Sequence, residues 1–306
     1  MMVLGVSTAW KSEVWTNVQE IIEAILDLGI RGVELDYRLT FPMAKQIFSL
    51  WNSGRFSVIS VHNYFPVPDG VPTGKGSWDF FSLSSPDKEE RTQAVHYTIQ
   101  TMEWARKFGA RAVVLHLGKI SMENPMKDLR RLYDEGKIRT EEGQAFIAEQ
   151  EEIRAQKAPL HLDGALRSLE KAGREAEKRG LLLGIENRYN LQDFPNPKEF
   201  QVLFRELSGG AMWYWHDVGH ATALENLGII KPNELLENFG PFLLGTHLHG
   251  CKGYHDHEAP GSGEEDYHLF KKYLRPETIR ILESHHRTPP AEMIKGIEFL
   301  KSKGIL

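Results

Sequence analysis

Short apolar runs of strand character alternate with helical patterns eight times along the 306 residues, and composition does not break between them. The strand-like runs fall at residues 3–7, 31–35, 57–62, 111–116, 181–186, 211–217, 242–247 and 278–283. Helical stretches follow with recognisable starts and stops. Thr16 reads as the cap of a helix that carries Val18, Ile21, Ile22, Ile25 and Leu28 on one face and stops at Gly29. Ser85-Pro86-Asp87 reads as a cap followed by Pro at the first helical position. Further helices are expected over 41–51, 160–179, 197–207, 221–227, 232–239, 267–274 and 290–301. Alternation of this kind puts strands parallel and helices outside, and eight units close an α/β, (β/α)8 TIM barrel. A doubly wound open sheet would share the alternation, but no Gly-x-Gly-x-x-Gly turn follows the first strand. The single domain is expected to span 1–306. Residues 119–159 form a charged helical insertion after strand four, which reads equally well as a solvated hairpin or as a lid.

In such a barrel, chemistry sits where the strands end at their C-terminal side. The residues there are His62, His116, Glu186, Asp217, His247 and Glu283, on strands three to eight in succession. One His at a strand end is usually a hydrogen-bonded cap. Six such groups in a row, buried together, would repel or stay unsatisfied without a balancing cation, so a metal site is expected. Asp217 also sits at the start of Asp217-Val218-Gly219-His220, a spacing that fits either a helix cap or a pair of ligands. Two residues back from the six lie Ser60, Val114, Gly184, Trp215, Gly245 and Ile281, on the same strand face. The large Trp215 between two glycines predicts that it fills the barrel between Gly184 and Gly245. Beyond the strands, His220, His255 and His257 are further candidates, and the turn Gly261-Ser262-Gly263 would let the 249–265 loop double back over the mouth. Trp10, Tyr64, Glu13 and Arg188 fall on mouth loops. His285 and His286 read as structural or solvated, and His96 and His161 fall on helices.

Other chemistries find little support. The single cysteine, Cys251, permits no internal disulfide, so any metal must rest on His and carboxylates. The net charge of -5 offers no general footprint for nucleic acid, and no basic stripe with aromatics marks the mouth loops. Gly74-Lys75-Gly76-Ser77 fails the phosphate-loop pattern in spacing and context. No apolar run reaches the roughly 20 residues of a membrane helix, and no signal peptide is read at the start, so a cytoplasmic enzyme is the expectation.

Ser60-Val61-His62, Val113-Val114-Leu115-His116, Gly184-Ile185-Glu186-Asn187, His216-Asp217-Val218-Gly219-His220, Thr246-His247-Leu248-His249 and Ile281-Leu282-Glu283 together carry a resemblance. Nearly the whole chain resembles the xylose isomerase-like barrels, which include sugar isomerases and epimerases and the type IV AP endonucleases. The isomerase branch implies one divalent cation, Zn or Mn, held by Glu186, Asp217, His247 and Glu283. The two glutamates, Glu186 and Glu283, would be the catalytic acid and base, and His220 would contact substrate. Trp10, Tyr64 and Arg188 are further substrate-binding candidates. The endonuclease branch implies three zinc ions on nine ligands, of which His62, His116, Glu186, Asp217, His220, His247, His257 and Glu283 match in type, with His255 at the place of an Asp. The favoured expectation is a metal-dependent isomerase or epimerase of a small sugar or related polyol. The alternative is a metal-dependent phosphodiesterase acting on abasic DNA. The expected partners are a sugar-like small molecule and a second copy of the chain as a homodimer, with no membrane.

Overall fold

A computed structural model describes residues 3–71, 80–207 and 209–306. The elements run β1 (Val3–Ser7), α1 (Ala9–Ser12), α2 (Val18–Leu26), β2 (Gly32–Leu35), α3 (Phe41–Trp51), β3 (Ser57–His62), α4 (Lys88–Lys107) and β4 (Ala112–Leu115). They continue with α5 (Met126–Asp134), α6 (Glu141–Arg179), β5 (Leu182–Glu186), α7 (Pro197–Glu206), β6 (Met212–Asp217), α8 (Val218–Asn226) and α9 (Glu234–Phe239). The chain ends with β7 (Leu243–Leu248), β8 (Gly250–Lys252), β9 (His255–Glu258), α10 (Tyr267–Tyr273), β10 (Ile279–Leu282) and α11 (Pro290–Ser302). Eight parallel strands close in the order β1-β10-β7-β6-β5-β4-β3-β2, so every strand pairs with its neighbours in the alternating series. The expected TIM barrel is present. The rejected loop at Lys75 lies outside the described residues.

Three local expectations are corrected. The cap of α2 is Asn17, one residue later than Thr16; its side chain accepts from the backbone N–H of Gln19 and Glu20. The cap of α4 is Asp87, so Pro86 precedes the helix and Ser85 Oγ accepts from the Asp87 N–H in the turn before it. The helix expected from residue 160 begins at Glu141 and runs through Pro159 without ending. Proline removes one helical hydrogen bond there. Packing on both sides holds the helix together. Arg154, 3% exposed, donates to both oxygens of Glu199 and to the carbonyls of Leu191 and Asp193, while Gly164 lies so close to the Ser85 carbonyl that a Cβ would come within 2.6 Å.

The barrel interior holds its own apolar cluster, including Val114, Trp215, Ile279 and Ile281. The larger core lies between the strands and the outer helices. Trp215 has no exposed surface, and a Cβ on Gly184 or Gly245 would stand 2.8 and 2.3 Å from its ring carbons. The bulky ring is accommodated by two absent side chains, as the strand pattern predicts. Above β7, β8 and β9 pair antiparallel in a hairpin that folds over the mouth, turning at Gly253 with φ +61°. Gly263 packs so tightly against the backbone of Cys251 that a Cβ would come within 2.2 Å, which is why the 249–265 segment can double back.

Candidate metal centre

The strand ends deliver His62, Glu186 and Asp217 as last residues of β3, β5 and β6, His247 within β7, and His116 and Glu283 one residue beyond β4 and β10. Register places Asp217 beside His247 and Ile281 beside His247, so the groups on β6, β7 and β10 face one space. Asp217 is a helix cap that still faces the shared space. It caps α8, accepting from the His220 N–H at 2.7 Å, and its carboxylate faces the cavity. An amide network fixes it: Asn187 Nδ2 donates to the Asp217 carbonyl at 3.0 Å, and Asn187 Oδ1 accepts from the Asp217 N–H at 2.9 Å.

At the centre, His247 Nδ1 lies 3.0 Å from Glu283 Oε2, 3.6 Å from Asp217 Oδ2 and 3.7 Å from Glu186 Oε2. It is buried and makes no hydrogen bond of acceptable geometry. A buried imidazole nitrogen without a hydrogen bond, ringed by three carboxylates, is a donor set with room for a divalent cation. Burial lowers the tendency of His247 to protonate, but the carboxylates of Glu283, Glu34 and Glu186 more than reverse this and hold its pKa well above the usual value. Burial raises Glu186, and the histidines His116 and His247 overcome it, so its carboxyl stays well below the usual range. Burial likewise raises Asp217 and Glu283, and His220 and His249 for the first, His247 and His257 for the second, bring both below normal. The carboxylates are ionised and positive charge is drawn to the centre.

A second group adjoins it. Asp217, His220, His249 and His257 each bring one ligand-type atom within 4.8 Å of the others. His249 Nε2 lies 2.8 Å from Asp217 Oδ1, and its Nδ1 accepts from the His257 N–H at 2.8 Å. His257 holds a φ of +58°, uncommon for a residue other than Gly, and sits at the inner end of the hairpin. His255 is not brought to the site. It is exposed, with its ring 4.4 Å from that of Tyr254; the positive φ at His257 breaks the strand alternation, so Asp256 and His257 both face the site while His255 faces out. Asp256 takes its place, with Oδ2 3.1 Å from His257 Nδ1 and 3.4 Å from His220 Nε2.

The third group is His62, His116 and Glu186. His116 Nε2 lies 2.9 Å from Glu186 Oε2, and Arg188 Nη1 lies 2.6 Å from that same nitrogen. Burial and the Arg188 charge push the His116 pKa well below its usual value. Arg188, expected on a mouth loop, is therefore inside the site.

Trp10 and Tyr64, expected to line the pocket, are fully buried. The Trp10 N–H donates to the Thr288 carbonyl at 2.8 Å, and the Tyr64 hydroxyl to the Phe81 carbonyl at 2.8 Å; both anchor loops beneath the mouth and present no surface to a ligand. His286 Nδ1 lies 2.9 Å from Glu13 Oε2 at the rim. His96 is exposed, whereas His161 is buried in α6.

Three residues escape a reading of strands three to eight alone. Glu34, on β2, is unexposed, accepts from Ser60 Oγ at 2.7 Å and lies 2.9 Å from His247 Nε2. Its signal was a charge inside a short apolar run, opposite Ser60 in register. His249 follows His247 by two and so shares its face. Asp256 had no signal until the hairpin fixed which residue turns inward.

No curated protein matches the sequence closely enough to count as a relative. Solved structures do match in shape. A D-tagatose 3-epimerase-like protein superposes with a TM-score of 0.70 at 17% identity, covering 99% of this chain and 97% of that one. The 3-keto-D-glucoside 4-epimerase of E. coli, in its apo form, gives 0.68 at 15% identity over 99% and 100%. A D-psicose 3-epimerase from Clostridium cellulolyticum H10, solved with D-tagatose, gives 0.66 at 12% identity over 98% and 99%. At these identities the likeness is one of fold. The sequence itself matches the profile of the xylose isomerase-like TIM barrels over residues 22–303, and the chain belongs to that family.

Proposed function

We propose that the protein is a divalent-cation-dependent isomerase or epimerase of a small sugar or related polyol. The observation that carries the reading is His247 Nδ1, buried and without a hydrogen bond among Glu186, Asp217 and Glu283. Those four residues would hold the cation, and Zn or Mn suits their oxygen and nitrogen donors. When bound, it would polarise a substrate carbonyl and the neighbouring hydroxyl, acidifying the C–H between them.

Glu186 and Glu283 move the proton. One carboxylate, ionised in the resting site, accepts it from that carbon, and the other, once it has taken up a proton, returns one to the opposite face or to the neighbouring carbon. Glu283 is the one with donors at hand: Ser7 Oγ donates to its Oε1 at 3.2 Å, and His257 Nε2, on a ring held protonated by Asp256, lies 3.6 Å from its Oε2. Burial keeps bulk water from the pair. Tyr189, whose ring stacks on His220 with centroids 4.9 Å apart, would pack on one side of the substrate.

Helix α5 would roof the mouth. Tyr254, at the hairpin turn, donates to Asp134 Oδ2 at 2.8 Å, and the Arg130 guanidinium lies 5.3 Å over the Tyr254 ring. A cleft of about 700 Å³ between α5 and Tyr189–Asn190 would lead inward.

Glu283→Gln tests this reading. It keeps the size of the side chain and removes its basicity, so turnover of an identified sugar substrate should fall by about 100-fold or more. Undiminished turnover would remove Glu283 from the mechanism. Asp256 favours a second reading, a phosphodiesterase acting on abasic DNA, because it completes the ligand types of a larger cluster. Nicking of an abasic duplex at catalytic rates by the metal-loaded protein would establish it.

A further inference from the structure

Three acceptor atoms meet at the His62 corner of the site. His62 Nδ1 lies 2.8 Å from the Asn63 carbonyl oxygen, which can only accept, so Nδ1 carries a proton and Nε2 is the nitrogen whose lone pair is available to a cation. That nitrogen lies 3.1 Å from His116 Nε2 and 3.2 Å from Glu186 Oε2, which are 2.9 Å from each other. A guanidinium only donates, so His116 Nε2, at 2.6 Å from Arg188 Nη1, is a lone pair as well. Two imidazole lone pairs and a carboxylate oxygen around one point are what a divalent cation requires. A cation stands beside that point, on the His116 nitrogen. Arg188 is 7% exposed, and its Nη1 also lies 3.5 Å from Glu186 Oε1.

We propose that the Arg188 guanidinium fills the position a second divalent ion would take between His62, His116 and Glu186. The family's larger ligand set is thus present in type, but one corner is closed by a charge the protein itself supplies. A guanidinium cannot be titrated away near neutral pH, so the position stays filled whatever the metal supply. It occupies the His116 lone pair and sets a fixed positive charge beside the Glu186 carboxylate, which both removes a ligand and repels an incoming ion. The consequence is a centre held to the cation on Glu186, Asp217, His247 and Glu283, with any further ion confined to the Asp256–His257 side. This inference rests on the proposed role of those four residues.

The test is a count. Wild-type protein and Arg188→Met are loaded separately with Zn2+ and with Mn2+, freed of loose ion by gel filtration, and assayed for metal per chain by elemental analysis. Arg188→Met should hold one equivalent more than wild type, and Arg188→Lys, which keeps a charge there, should stay closer to the wild-type count. A second arm leaves Arg188 in place: His116→Asn should not change the metal content of the otherwise wild-type chain. Equal counts in wild type and Arg188→Met, or the loss of one equivalent in His116→Asn, would overturn the inference. A wild-type chain holding no cation at all would overturn the functional reading instead, and the Arg188→Met comparison would then decide this one alone.

Discussion

Nε2 of His247 lies 2.9 Å from Oε1 of Glu34, and neither side chain has any exposed surface. A carboxylate oxygen accepts, so Nε2 carries the proton and Nδ1 is left to face the carboxylate ring at the centre of the barrel. Glu34 therefore sets which nitrogen of His247 would meet a bound cation. Ser60 Oγ holds Glu34 in turn at 2.7 Å, so β2 and β3 orient a side chain carried by β7.

Glu34→Gln should therefore weaken metal binding without removing a ligand. Outer partners of this kind are worth about 10–100-fold in affinity. Competition against a chelator should show a loss in that range. Affinity equal to wild type would mean that His247 is oriented by its strand alone.

Gly245 faces Trp215 so closely that a Cβ would stand 2.3 Å from a ring carbon. Gly245→Ala should destabilise the fold by about 1–3 kcal/mol, the usual range for overpacking. Adding Trp215→Leu should recover part of that loss, because the ring and the methyl compete for one volume. Urea unfolding of the two single variants and the double variant measures the coupling; strictly additive effects would show that the ring does not fill that space.

His216 points away from the barrel axis, onto Phe270, with its Nδ1 2.7 Å from the Tyr214 hydroxyl. Burial pushes its pKa down from 6.5 to about 3. A depressed folded value means stability that is full above the unfolded value and is lost as pH falls through the window from 6.5 towards 3. Between about pH 7 and pH 5 this one group should remove about 2 kcal/mol. His216→Phe keeps the ring contact, and the Tyr214 hydroxyl keeps Asn187 as a partner at 2.9 Å. The variant should lose less stability over that interval than wild type. Parallel losses would show that His216 titrates normally.

The barrel was legible because each strand run and its helix repeated one pattern, and Trp215 between Gly184 and Gly245 was legible because parallel strands bring same-face residues into one layer. The clustering of His, Asp and Glu at the strand ends followed from that alternation. What was not legible depended on segments whose direction is set by tertiary contacts. His255 and Asp256 differ by one residue, and only the hairpin pairing decides which of them turns inward. The pattern predicts a helix only from residue 160, yet α6 runs unbroken through Pro159, with Arg154 and Gly164 packed on either side of it. Arg188 read as a rim residue because a long side chain after a strand can extend outward or fold back, and the His116 lone pair and the Glu186 charge that draw it back lie far away in sequence.

The central claim is proton transfer at a carbon beside a carbonyl, carried by Glu186 and Glu283. Its most direct measurement is NMR of ketoses incubated in heavy water with the Mn- or Zn-loaded protein. The account predicts deuterium entering at one carbon adjacent to the carbonyl of a substrate sugar, and exchange abolished in Glu283→Gln. Exchange that persists in Glu283→Gln, or a metal-loaded protein that exchanges no sugar proton while cleaving abasic DNA, would contradict it.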